Sequence, residues 1–473
     1  MSISLDLVWD LAAHYYENAG EWAQDITVYR KDAEIVMLAM LDHHLELAML
    51  HRTRGQIERF VLNVQSEPIG LPSGFFVGEV LAAEERIRAE HSRLTWAHAP
   101  YPKKSVKGKG VFTYPLGPVR ADVSEALLYQ LQVMGDEIVR LDLVHQLKRR
   151  HVRPLCLGKP ASDAVKIVER TTGTSTVAHA LAYSMAVEQA LGLEMDSGVA
   201  QCRMIVAELE RVYSHLGDLA ALAASTGMPI PQMEYLHHKE VLLRLNHHVF
   251  GHRYLRGVVI PGGIQAIQVP SAREWAGETI VTMRDDVERM QHDLERTTSF
   301  LDRLHGAGII PQETLDFVRP VGPVGRASQR DCDVRRMRPY LAYADADFEV
   351  PSLEDGDAYA RFVVKTKELI QSLSLLRRLL VSEDWMHAQA RSLTDRELSK
   401  TPGVGLAVIE APRGLLSYRV EVGSDLTIRH LDVSTPSERN WYVVPPAIAN
   451  KNILQDFPII DASFGLSVAG WDK

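Results

Sequence analysis

The centre of the chain is dense in Ala, Leu, Met and Glu from Thr176 to Ala224, all good helix formers. Gly192 and the run Asp196-Ser197-Gly198 divide this stretch into two helices, with Asp196 or Ser197 as the N-cap of the second. That second helix, VAQCRMIVAELERVYSHLGDLAALAAS, is apolar over much of its circumference, the pattern of a helix inside a bundle. Pro261-Gly262-Gly263 is expected to end a further helix. Residues 271–306 read as one long, highly charged amphipathic helix, and 356–391 as another. Alternation in ALLYQLQV and EIVRLDLV around Gly135-Asp136 predicts a β-hairpin, and LAVIEAP, LLSYRVEV and LTIRHLDV predict short strands after Gly403.

The first hundred residues carry apolar runs, AEIVMLAML and RFVLNV, that fit strands or short helices, followed by a charged amphipathic helix, EVLAAEERIRAEHSRL. The Pro-, Gly- and Lys-rich HAPYPKKSVKGKG then reads as a linker, which divides the chain into segments 1–105 and 106–473. No internal repeat is visible. The pattern predicts an α+β fold: a large central helical bundle with small β elements at its edges, and a small N-terminal α/β segment.

Composition narrows the function. The 473 residues are 46% hydrophobic and 24% charged, the balance of a globular protein with an ordinary core. A formal charge of -9 argues against nucleic acid as a partner. No run of about 18 apolar residues spans a membrane. The acidic, amphipathic N-terminal stretch lacks the pattern of a signal peptide, so a cytoplasmic setting with membrane attachment through partners is expected. Cys156, Cys202 and Cys332 lie far apart, which disfavours a disulfide framework or zinc ribbon and suits buried thiols.

Read alone, the remaining polar features are modest. The pairs His43-His44, His237-His238 and His247-His248 point adjacent side chains in different directions, so a pair is a poor source of two ligands to one metal. ERTTGTSTVAHA is a polar turn entering a helix that Ser175 or Thr176 can cap, and the closing AGWDK looks like a frayed terminus. GxGxxG, Walker A and GxSxG motifs do not occur.

A series of colinear segments says more. VERTTGTSTVAHALAYSMAVEQALGLEMD and RMIVAELERVYSHLGDL, then FGHRYLRGVVIPGG, VGRASQRDCDVRRMRPYLAY, GDAYARFVVKTKELIQSL, EAPRG and DFPIIDAS, resemble the large subunits of energy-converting membrane-bound nickel–iron hydrogenases and formate hydrogenlyase, and the D-type subunit of respiratory complex I. The resemblance covers roughly residues 110–465. AAEERIRAEHSRL is similar to a stretch of the C-type subunit of complex I, which implies a degenerate C-type segment over 1–105.

The departures from those families concern chemistry. In the hydrogenases an ERxCGxC and a DPCxxC motif hold the metals. Here the first reads Glu169-Arg170-Thr171-Thr172-Gly173-Thr174-Ser175 and the second Asp461-Ala462-Ser463-Phe464-Gly465-Leu466. Thr172, Ser175, Ser463 and Leu466 thus stand at the thiolate positions, and neutral hydroxyls or a leucine do not replace soft sulfur ligands. The resemblance also implies a quinone-flanking His in a GPxHP motif and an Asp after the SHL helix; Arg120 and Ser225 occupy those positions. Arg153 stands where the hydrogenases carry a proton-passing Glu. Arginine stays protonated and serine is not an acid at neutral pH, so the usual quinone proton chemistry is doubtful. If Arg120 and Arg153 line one cavity, it favours an anion; the plainer alternative is a degenerate pocket in which these arginines pair with Asp or Glu at a subunit interface.

The resemblance implies a catalytic-arm subunit of a membrane-bound oxidoreductase complex, with no metal bound by this chain. It would dock on a small Fe–S subunit resembling the B-type subunit of complex I, next to membrane subunits resembling the H-type subunit and antiporters, on the cytoplasmic face. Its task would be to shape a cavity beside the partner's terminal Fe–S cluster for a quinone or other acceptor. The alternative is a structural or assembly role with no redox chemistry.

Overall fold

The structure is a computed structural model that describes 25–31, 34–40, 44–51, 56–63, 95–96, 108, 110–119, 125–145, 147–265, 273–380, 385 and 402–472. The chain divides into two compact units, residues 1–107 with 312–319, and 108–311 with 320–473. Arg120, the amphipathic stretch 79–94, the lysine-rich linker up to Lys107 and the end of the expected 356–391 helix lie outside the described residues.

In the first unit, β1 (Asp25–Lys31), β2 (Glu34–Met40), β3 (His44–His51), β4 (Gln56–Asn63) and β5 (Thr95–Trp96) form an antiparallel sheet in the order β4-β3-β2-β1-β5. The two apolar runs that fitted either strand or helix are therefore strands.

The second unit opens with the sheet β6 (Val111–Leu116), β7 (Leu128–Met134) and β8 (Glu137–Val144). The expected hairpin is present: Met134 pairs with Glu137 across the Gly135-Asp136 turn, and Gly135 takes a φ of 68°. Sequence patterning did not single out β6. Its Pro115 lacks an N–H and suits the edge position that the strand occupies.

Helices α1 (Val152–Cys156) and α2 (Ala161–Val168) lead to the bundle. Its heart is α3 (Thr176–Leu191) and α4 (Ser197–Ser225). The break between them is as read: Gly192 closes α3 at φ 67°, and the Asp196 carboxylate accepts from the Val199 N–H at 2.8 Å to start α4. Helix α5 (Pro229–Phe250) packs on α4 and ends at Gly251, φ 79°. The Pro261-Gly262-Gly263 run therefore ends no helix. It turns between two tiny strands, β9 (Val259–Ile260) and β10 (Gly263–Ile264), and the Gly262 N–H is held by Glu188 at 2.8 Å. The expected 271–306 helix is two, α6 (Arg273–Leu294) and α7 (Thr298–Leu304), parted where β-branched Thr297 and Thr298 adjoin.

Helix α8 (Ala358–Leu379) crosses α4 and α6. The predicted strands follow as an antiparallel sheet, β11 (Gly403–Ala411), β12 (Gly414–Val422) and β13 (Ile428–Ser434). Near the end, α9 (Phe457–Phe464) packs on α4 and α8, and α10 (Val468–Asp472) closes the fold. The closing residues are not frayed: Trp471 is buried and its ring stacks on Trp441 at 5.6 Å and on His145 at 3.6 Å, so aromatic burial overrides the polar look of the tail.

The sheet β11–β13 lies on α3 with almost no gap. A Cβ on Gly405 would stand 1.8 Å from the Ala186 carbonyl oxygen, and one on Gly403 1.9 Å from that of Ala190. Gly405→Ala should therefore force strand and helix apart and cost about 3 kcal/mol or more, read by chemical denaturation. Gly277→Ala, where a Cβ meets nothing within 4 Å on helix α6, should be neutral or stabilising by up to about 1 kcal/mol.

Candidate functional site

The two motif loops, 171–175 before α3 and 465–467 after α9, meet at one side chain. Arg413, in the turn between β11 and β12, donates from Nη1 to Thr174 Oγ1 at 2.9 Å and from Nε to the Gly465 carbonyl. Its Nη2 donates to Asp218 Oδ1 on α4 at 3.0 Å. Lys365 on α8 reaches the other oxygen of Asp218 at 3.0 Å and the Phe464 carbonyl at 3.3 Å. Gly465 takes φ 61°, and a Cβ there would fall 2.5 Å from Asp218 Oδ2 and 2.6 Å from Lys365 Nζ, so this position tolerates only glycine.

One helical turn from Lys365, Arg361 is fully buried. Its Nε donates to Ser463 Oγ at 2.9 Å, Nη1 to the carbonyls of Gly308 and Gly356, and its guanidinium lies 4.1 Å from the centre of the Phe464 ring. Burial pulls Arg361 down to about 9, against the partial support of Asp357. Burial would raise the Asp218 carboxyl, but Arg413 and then Lys365 hold it below the usual range. Burial also depresses Lys365 and Lys239, each partly restored by Asp218.

The candidate positions have different surroundings. Thr172 and Ser175 are buried, and Thr172 Oγ1 has no hydrogen-bond partner. Ser463 is buried, donates to the Ile460 carbonyl at 2.7 Å and accepts from Arg361. Leu466 is half-buried in the loop after α9. Ser225, the last residue of α4, donates back to the Leu222 carbonyl at 2.8 Å. Arg153, on α1, pairs with Asp432 at 3.2 Å in a partly exposed setting. The structure thus gathers the loops of Thr172, Ser175, Ser463 and Leu466 around Arg413, while Ser225 and Arg153 show no bond to that constellation.

Ser175 takes the N-cap position of α3 but makes no capping bond. The carboxylate of Glu210 on α4 does that work, accepting from Val177 N at 2.6 Å and Ala178 N at 2.7 Å. A charged oxygen at the positive end of the helix outcompetes a neutral hydroxyl. Burial pushes Glu210 up to about 7 against the pull of those donors. Ser214 donates to the Thr174 carbonyl at 2.8 Å, and His215 Nε2 meets Glu368 at 3.0 Å. Behind them, Arg326 bridges Glu368 and Glu410 at 2.8 Å each, and Glu208 gathers Tyr343, Ser372 and Arg335. Burial pushes the thiols of Cys156, Cys202 and Cys332 each up to about 12, and Cys332 adjoins this array, its carbonyl accepting from Arg326 at 2.7 Å.

Asp218, Arg361, Lys365 and Arg413 were not singled out from the sequence, although each falls in a segment that carries the resemblance. A signal was present: Arg361 and Lys365 are spaced i, i+4 on one helix face, which places two cations side by side. A surface groove of about 600 Å³ between α5 and α6, lined by Met233, His237, His238 and Asp286 among others, shares no residue with the constellation.

Comparison with known proteins finds similarity to complex I and hydrogenase subunits. Residues 226–392 match the family described as respiratory-chain NADH dehydrogenase, 49 Kd subunit. The carbon monoxide-induced hydrogenase of Rhodospirillum rubrum is 26% identical over 359 residues, 74% of this chain and 96% of that protein. The D 1 subunit of NADH-quinone oxidoreductase from Chloroherpeton thalassium is 26% identical over 381 residues, 76% of this chain and 86% of that protein. One chain in the structure of the membrane-bound sulfane sulfur reductase, an archaeal respiratory membrane complex, shares the fold at a TM-score of 0.70 and 24% identity, covering 77% of this chain and 99% of that one. The resemblance read from the central bundle therefore holds: the chain is similar to the D-type subunit of complex I and to a hydrogenase. Among the described residues, no helix is long and apolar enough to cross a membrane.

Asp218, Glu208 and Glu368 are all held below the ordinary carboxylate range in the folded chain, burial being outweighed by neighbouring cations. Their contribution to stability is complete above the unfolded carboxylate value and is lost as pH falls through and below it. Denaturation midpoints should therefore be insensitive to these groups from pH 8 to about 5 and drop below about 4. In Asp218→Asn that acid limb should be shallower; an unchanged limb would mean that Asp218 is not ionised by its partners.

Proposed function

We propose that this chain is a catalytic-arm subunit of a complex I-like or hydrogenase-related membrane-bound oxidoreductase complex, working without a nickel–iron site. The relatives are, by name, a hydrogenase and a component of NADH-quinone oxidoreductase, and the chain spans most of each. In this reading it packs on a small Fe–S subunit, is held to the cytoplasmic face of the membrane by neighbouring membrane subunits, and receives electrons from the partner's terminal cluster. The loops 171–175 and 465–467, joined by Arg413, would form the wall at which a quinone or another acceptor is reduced.

The donor set does not fit a nickel–iron centre. Three hydroxyls and a leucine occupy the thiolate positions, and Leu466 offers no lone pair. The Ser463 oxygen is engaged by the Arg361 guanidinium, so a metal ion there would have to displace a buried cation. What the residues can do is orient an acceptor by hydrogen bonds and offset charge that develops on it, with Arg413 the best placed because it touches both loops.

The observation that carries this reading is the Arg413 fork joining both motif loops to Asp218. The test uses the intact purified complex. Elemental analysis should find no stoichiometric nickel; one nickel per chain overturns the reading. Arg413→Met should leave the complex assembled and slow acceptor reduction by about 10²-fold, with partial rescue in Arg413→Lys. Unchanged rates in both variants would instead point to a purely structural role.

A further inference from the structure

We propose that the constellation around Asp218 is a binding site for a small anion, with Lys239 and Lys365 as its principal donors. Charge is the first observation. Lys365, Arg413, Lys239 and Arg361 converge here, and Asp218 is the one carboxylate that bonds any of them among the described residues. Lys239 rises from α5, and its Nζ lies 2.9 Å from where a Cβ on Gly217 would be, next to Asp218. It feels both Asp218 and Arg413. Lys365, Arg413 and Arg361 are buried and Lys239 half-buried, and with Asp218 the only carboxylate bonded to them among the described residues and Asp357 a neighbour of Arg361, they leave positive charge that an anion would offset.

Unused hydrogen-bond capacity is the second. Lys365 uses two of its three N–H groups, on Asp218 and on the Phe464 carbonyl. Lys239 Nζ has no hydrogen-bond or ion-pair partner among the described residues. Thr172, on the loop that Arg413 grips, keeps its buried hydroxyl unbonded. Lone donors are what an anion's oxygen, nitrogen or sulfur atoms accept from, and buried groups in this state call for a ligand.

The third is the backbone. Gly465 presses against Asp218 and Lys365 with no side chain between, which holds the carboxylate against the Lys365 ammonium. The ligand class is a compact anion of a few heavy atoms, held by ammonium groups. The site as a site stands on these contacts alone; that the anion is also the electron acceptor rests on the function proposed above.

The experiment is hydrogen exchange on the intact complex, followed at peptides covering 168–178, 360–370 and 460–467, during titration with formate, thiocyanate or sulfate. Formamide, the uncharged counterpart of formate, is the control. At least one anion should give saturable protection of these peptides that formamide does not give. Lys365→Met and Lys239→Met should each weaken it at least about tenfold. Lys239→Met covers the case in which Lys365→Met fails to fold, because Lys239 is only half-buried and makes no ion pair. Protection that does not saturate, that formamide matches, or that survives in Lys239→Met overturns the proposal. Saturable anion binding in a complex that reduces no acceptor leaves the site standing and removes the redox reading.

Discussion

A single guanidinium closes this fold on itself. Arg413 has three directions of donation, and each meets a different piece of chain: the loop before α3, the loop after α9, and Asp218 on α4. Those pieces are far apart in sequence, so no local propensity brings them together. Planar, bidentate geometry lets one arginine fix three partners where a lysine would hold them loosely. Removing it would leave Asp218 buried with Lys365 alone and two loops without a common anchor.

Behind the fork lies a slab of buried charge that is closely matched. Arg326 sits among Glu368, Glu410 and Asp333; Arg335 and Arg211 answer Glu208. The helices α4 and α8 are thereby riveted by ions as well as by leucines. The balance holds in this slab and breaks in front of it, around Asp218, where cations outnumber carboxylates. That contrast within one helix bundle separates a structural ion network from a place with chemical capacity.

Much of this was legible in the sequence. The α3–α4 break announced itself through Gly192 and Asp196, the β7–β8 hairpin through Gly135-Asp136, and the final sheet through its alternation. The tail was misjudged because Trp471 finds Trp441 and His145, partners that no local window contains. The cap of α3 was assigned to the nearest hydroxyls because Glu210 lies 33 residues from Val177. The site divided in the same way. Thr172, Ser175, Ser463 and Leu466 could be named by motif, yet the cations that give their loops a chemical character stood unremarked in neighbouring segments. Arg153 pairs within the chain with Asp432, which lies 279 positions further on and so outside any local window.

The bare contact between β11 and α3 has a mechanical consequence. With the carbonyls of Ala186 and Ala190 set directly against Gly405 and Gly403, strand and helix have no cushion of side chains to absorb sliding. A push along β11 is thus passed directly to the C-terminal end of α3, where these contacts lie. Strand and helix at that end therefore move as one piece, like a lever with a rigid arm.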